Sequence, residues 1–122
     1  MNQRMDCGIQ VLIELGKLWQ IESSAALSYA QSCLSARGLS VYELLEALKL
    51  MGVEAKAYRM LHFPQGVFIA HIGSKQWGHY VLVKKIDKRV QLYDPQCGER
   101  VMSRFKFFMI WSKTAILVYQ KR

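Results

Sequence analysis

The sequence predicts an α+β protein in which helices come first and an antiparallel sheet follows. Two observations carry this reading. Apolar residues recur at helical spacing as far as Leu48, and from Val53 onward the period changes to two. With 122 residues, 52% of them hydrophobic, residues 1–122 suit one compact domain with one active site.

The elements follow in order. From Cys7 to Leu18 the residues Ile9, Val11, Leu12, Ile13, Leu15 and Leu18 fall at helical spacing, and Asp6 is placed to cap the first turn. Cys7 therefore sits at a helix N-terminus. A second helix runs from Ser23 or Ser24 to Cys33, rich in Ala and Leu. Ser40 and Glu43 have capping-box spacing ahead of the stripe Val41, Leu44, Leu45 and Leu48, and Gly52 supplies the stop. Val53, Ala55 and Ala57 then alternate with Glu54, Lys56 and Tyr58, as in a half-buried strand. Pro64 and Gly66 punctuate the chain before a strand from Val67 to Ile72. The segment Gly73 to Gly78 turns into a second apolar strand, His79-Tyr80-Val81-Leu82-Val83. Asp87-Lys88-Arg89 folds that strand back onto Val90-Gln91-Leu92-Tyr93 as a hairpin, which Pro95 and Gly98 end. A short helix from Ser103 to Trp111 and a β-branched strand from Thr114 to Tyr119 close the order.

Composition narrows the function classes. A formal charge of +8 steers acidic partners, but it does not choose among nucleic acid, an anionic membrane and an acidic peptide. Cys7, Cys33 and Cys97 form an odd set without C-x-x-C spacing, which argues against a disulfide framework and a zinc site and fits a reducing compartment. Three histidines, His62, His71 and His79, add no metal-ligand spacing, so neither metal nor other cofactor is expected. Glu14 interrupts the first apolar stretch, which makes it a poor secretory signal, and no run reaches the ~18 residues of a membrane span. A soluble, cytoplasmic protein is expected.

Three residues invite chemistry. A thiol attacks as thiolate, and a helix N-terminus or a protonated histidine favours that form. Cys7 has the first feature, Gly8 beside it leaves room for a substrate backbone, and first-turn amides point toward a developing oxyanion. The ordinary alternative is a small core cysteine. His79 opens a strand and Asp94 closes the next, so a hairpin brings a base and a carboxylate to one side of the molecule. A structural histidine and an Asp-Pro turn opener are the ordinary alternatives there. Counted from the turn, Asp94 falls opposite Leu82 or Val83, about 10 Å along the strand from His79 at ~3.3 Å per residue. Some twist, bend or bulge must shorten this gap.

The ordered set Asp6-Cys7-Gly8, Gly38-Leu39-Ser40, Glu43-Leu44-Leu45-Glu46-Ala47, Gly52-Val53-Glu54-Ala55-Lys56-Ala57, Gly78-His79-Tyr80-Val81-Leu82-Val83 and Tyr93-Asp94-Pro95 resembles the C39 family of bacteriocin-processing peptidases. The resemblance spans about Gln3 to Tyr119. It implies a papain-like fold and a cytosolic domain of an ATP-driven peptide exporter that removes a leader after a double-glycine motif. Cys7 would be nucleophile, His79 general acid/base and Asp94 the orienting carboxylate, with no metal or nucleotide in the chemistry. Implied partners are the leader peptide and the membrane domain of an ABC transporter, in cis or in trans. One departure stands out. The family places an oxyanion-hole Gln six residues before the nucleophile, where this chain has Met1, and Gln3 becomes the candidate.

Two other readings compete. Related exporters carry peptidase-like domains that dock cargo without cutting it, although these lack the nucleophile. The basic, aromatic segment from Arg104 to Lys113 raises a nucleic-acid or membrane-surface role beside its more ordinary place in the core. No nucleic-acid partner is expected.

Overall fold

The computed structural model describes residues 6–35, 38–73 and 79–120. Asp6 starts α1 (Cys7–Trp19) by accepting the Gly8 amide on Oδ2 at 2.8 Å, which satisfies one of the N–H groups a helix leaves open at its start. The helix buries Ile9, Val11, Leu12 and Leu15. α2 (Ser24–Cys33) buries only Ala26 and Ala30, small residues that let it lie close against the next helix. That helix, α3 (Val41–Leu50), opens with a complete capping box. Ser40 Oγ accepts from the Glu43 amide at 3.1 Å, and Glu43 Oε1 accepts from the Ser40 amide at 2.9 Å.

The strands are β1 (Val53–Arg59), β2 (Phe68–Ile72), β3 (His79–Ile86), β4 (Arg89–Asp94), β5 (Gly98–Ser103) and β6 (Trp111–Gln120), with α4 (Arg104–Ile110) between the last two. They form one six-stranded antiparallel sheet in the order β1-β6-β2-β3-β4-β5. Both faces are covered. Ile69, Tyr80, Leu82, Ile116 and Val118 join the helical layer, while Phe68, Val81, Val83, Val90 and Leu92 pack on the other side with Phe107 and Trp111. This two-sided burial is why the central strands read as continuous apolar runs rather than as alternating ones.

The predicted layout holds, with two corrections. β5 was not foreseen, because Gly98-Glu99-Arg100 is polar and the strand lies at the sheet edge against β4 alone among the described residues. Trp111 begins β6 instead of ending a helix: its backbone is extended (φ −76°, ψ 129°). It is pulled into the sheet by ring contacts with Phe107 at 5.7 Å and Phe63 at 5.9 Å. The predicted start at Thr114 missed the irregular entry, where Lys113 takes φ 74° and its ammonium donates to the Phe108 and Trp111 carbonyls.

Gly38 couples the helical layer to the start of α1. It has φ +81°, and a Cβ there would collide with Asp6 Oδ1. Gly66 has φ +85° with open space around it. Gly38→Ala is expected to cost roughly 2 to 3 kcal/mol, strain plus a displaced cap, whereas Gly66→Ala costs about 1 kcal/mol of strain alone. Urea unfolding midpoints of the two variants measure the difference.

Candidate active site

The capped start of α1 delivers Cys7 to the beginning of β3. The Tyr80 amide donates to Cys7 Sγ at 3.3 Å, so the sulfur lies against the residue that follows His79 at the helix–sheet junction. β4 ends at Asp94, and its pairing with β3 begins at Leu82↔Tyr93. Continued by one step, that register sets Asp94 opposite Val81, so His79 and Tyr80 run on past the end of β4. Both still pair with β2 on their other side, and the Tyr80 amide on the β4 side is taken by the Cys7 sulfur rather than by a strand.

His79 and Asp94 meet directly. His79 Nε2 lies 3.1 Å from Asp94 Oδ1. The carboxylate is 1% exposed and fully engaged: the Gln96 amide donates to Oδ1 at 2.9 Å and Arg100 Nη1 to Oδ2 at 3.2 Å. Burial of an anion is tolerable when hydrogen bonds and an opposite charge surround it. Because Asp94 holds Nε2, Nδ1 is the ring nitrogen that can exchange a proton with a thiol.

A bulge makes this pairing possible. Ile86↔Val90 and Lys85↔Gln91 follow one register, and Val83↔Leu92 and Leu82↔Tyr93 another, which leaves Lys84 as an extra residue on β3. Without the extra residue Asp94 would face Leu82, three residues from His79 and therefore on the opposite face of the sheet. The bulge moves Asp94 opposite Val81, on the face His79 shares, as its diagonal neighbour. Lys84 itself bridges Glu14 at 3.1 Å and Glu99 at 2.7 Å, tying α1, β3 and β5 together.

The thiol is less easily ionised than its helix position predicts. Burial pushes the Cys7 pKa up, the Tyr80 amide pulls it down, and the Asp6 carboxylate raises it again against the Gly8 and Cys7 amides. Asp6 is the reason the helix end counts for less: the group that caps the helix also places a negative charge beside the sulfur. Gly8 is likewise corrected. It is buried, and a Cβ would sit 2.9 Å from Asp6 Oδ2 and 3.0 Å from Leu39 Cδ1, so the glycine serves cap packing rather than substrate approach. Its amide donates to Asp6 Oδ2 and also favours the thiolate, and the Cys7 amide is one further first-turn N–H that can meet an oxyanion.

Other candidate residues have partners of their own. Gln3 lies outside the described residues. Gln10 accepts from Tyr93 Oη at 3.4 Å. Cys33 is half-buried in α2, Cys97 is exposed in the turn after Asp94, and His62 is exposed. His71 Nδ1 lies 3.0 Å from Ser112 Oγ, and burial lowers its pKa, helped by the His79 charge. Among the described residues no group of three His, Cys, Asp or Glu side chains could hold a metal ion. Sequence reasoning missed Arg100 and the Tyr80 and Gln96 amides. Arg100 is set by its pairing with Leu92, so it was invisible without β5.

Comparison with known proteins agrees with this layout. The model of the Peptidase C39 family matches residues 1–122. Among solved structures, a double-glycine motif protease from an AMS/PCAT transporter, crystallised with a leader peptide, superposes with a TM-score of 0.83 at 19% identity, covering 99% of this chain and 89% of that one. The peptidase domain of Streptococcus ComA, a bifunctional ABC transporter, gives 0.77 at 21% identity over 99% and 96% of the two chains. The N-terminal C39-like domain of a Vibrio parahaemolyticus toxin-secretion ATP-binding protein gives 0.77 at 14% over 98% and 100%. These likenesses establish the papain-like α+β fold. No curated protein matches the sequence.

Asp6→Asn keeps a capping oxygen and removes the charge that raises the thiol pKa. The pH profile of Cys7 alkylation by iodoacetamide is expected to move to lower pH in this variant. An unchanged or upward-shifted profile would show that Asp6 does not set the thiol.

Proposed function

The chain belongs to the peptidase C39 family, and on that premise we propose that it is a cysteine endopeptidase that removes the leader of a bacteriocin-type or other exported peptide after a double-glycine motif. The observation that carries the proposal is the convergence of Cys7, His79 and Asp94: one hydrogen bond joins the imidazole to a buried carboxylate, and another joins the sulfur to the next amide along β3. Residues 1–122 act in this reading as a single peptidase domain.

Each group then has one task. Asp94 fixes the ring through Nε2 and stabilises the imidazolium, as an orienting carboxylate does. His79 Nδ1 takes the Cys7 proton as the sulfur attacks the carbonyl of the second glycine. The imidazolium favours the thiolate that burial and Asp6 disfavour. The oxyanion is met by the Cys7 amide and, in the proposed assignment, by the Gln3 side chain. His79 then protonates the leaving amine, the thioester links the leader to Cys7, and a water deprotonated by His79 hydrolyses it. Every proton in this cycle passes through one ring, so no metal or nucleotide is needed.

The structural neighbours supply the partners by analogy: a leader peptide, as in the AMS/PCAT complex, and an ABC transporter, as for ComA. Among the described residues no helix is long and apolar enough to cross a membrane. A cytoplasmic domain at the inner membrane face, linked in cis or in trans to a transporter, fits this proposal. The disfavoured thiolate supports a second reading, a domain that docks the leader without cutting it.

Synthetic precursors whose leaders end in Gly-Gly or Ala-Ala separate the two. Cleavage is expected for Gly-Gly alone, abolished in Cys7→Ala and reduced by roughly 10⁴-fold in kcat in Asp94→Asn, which holds the ring in the wrong tautomer. Leader binding without cleavage establishes the docking domain instead, and cleavage that survives Cys7→Ala overturns the mechanism.

A further inference from the structure

The segment from Arg104 to Lys113 divides in the structure into two opposite faces. Phe107 and Trp111 enter the core, but Phe105 is 75% exposed and Met109 65% exposed, and at i, i+4 spacing they project side by side from α4. The adjoining end of the sheet is basic. Arg104 Nη1 donates to the Asp87 carbonyl at 2.8 Å, which clamps α4 to the β3–β4 turn, and Arg89 pairs with Ser103, the residue that caps α4. Lys85, Lys88, Arg89, Arg104 and Lys106 are all exposed there, against Asp87, which sits 3.7 Å from Lys85.

We infer that this end of the molecule seats directly on an anionic phospholipid surface, with Phe105 and Met109 entering the headgroup layer and the surrounding cations facing lipid phosphates. The shape decides the occupant. A helical peptide needs a groove for its apolar face, whereas Phe105 and Met109 protrude, and a bilayer interface accepts a protrusion. A second copy of the chain would bring the same cations against each other. Anionic headgroups complement them, and each cation near such a surface strengthens attachment about fivefold.

The seat also suits the fold. β4 runs six residues from Arg89, at the basic end, to Asp94, so the Cys7–His79–Asp94 site lies roughly 17 Å farther along the strand at ~3.4 Å per residue. A molecule attached by the β3–β4 turn keeps its cleft away from the lipid. The inference does not depend on catalysis.

Co-sedimentation of the full chain with vesicles of phosphatidylcholine, alone or mixed with phosphatidylglycerol, tests it. Binding is expected to the mixed vesicles and to weaken with added salt. The double variant Phe105→Ser, Met109→Ser should bind at least tenfold more weakly, and Lys88→Gln and Lys106→Gln about fivefold more weakly each. These side chains are exposed, so unchanged thermal unfolding confirms that the variants fold. Equal binding to both vesicle types, wild-type binding by the Phe105/Met109 variant, or capture of polyglutamate with vesicles ignored would each overturn the inference.

Discussion

The structure is organised around one buried anion. Asp94 is almost completely removed from water, and a carboxylate in that position persists only where donors replace its hydration. Each donor comes from a different piece of architecture: His79 from the start of β3, the Gln96 amide from the turn after β4, and Arg100 from the edge strand β5. The bulge at Lys84 belongs to the same requirement, since it sets which face of the sheet Asp94 occupies. Turn, bulge and edge strand, which look like irregularities of the sheet, are the parts that hold the imidazole.

The start of α1 shows a compromise between stability and reactivity. Asp6 satisfies a helix N–H group and packs against Gly8 and Gly38, so the helical layer depends on it. The same carboxylate opposes ionisation of the neighbouring sulfur, and burial acts in the same direction. In the proposed mechanism His79 carries the counterweight. A thiol tuned in this way is protected while the ring is neutral or displaced and becomes nucleophilic when the imidazolium forms beside it.

The two faces of the sheet divide the labour. The helical layer packs on one face and brings Cys7 to the end of β3 where the sheet is left open, while the aromatic cluster of Phe63, Phe107, Phe108 and Trp111 closes the other. By filling that second core, α4 turns Phe105 and Met109 outward. The basic end and the candidate site therefore lie at opposite ends of the same hairpin.

Much of this was legible locally. The cap at Asp6, the capping box of Ser40 and Glu43, the apolar run after His79 and the hairpin at Asp87-Lys88-Arg89 all depend on neighbours within a few residues, and the structure contains each of them. The ordered motifs around Cys7, His79 and Asp94 pointed to the family for the same reason: short stretches keep their chemistry in the sequence itself. The tertiary structure decided what rests on residues far apart in the chain. Strand β5 has no apolar pattern of its own and exists because β4 offers an edge, and Arg100 reaches Asp94 only through that pairing. The bulge at Lys84 depends on how two strands share their burial, and the Cys7 thiol is set by desolvation and a contact from Tyr80. Register and desolvation are properties of the assembled core, so a one-dimensional pattern can name the reacting groups without fixing their separation or charge.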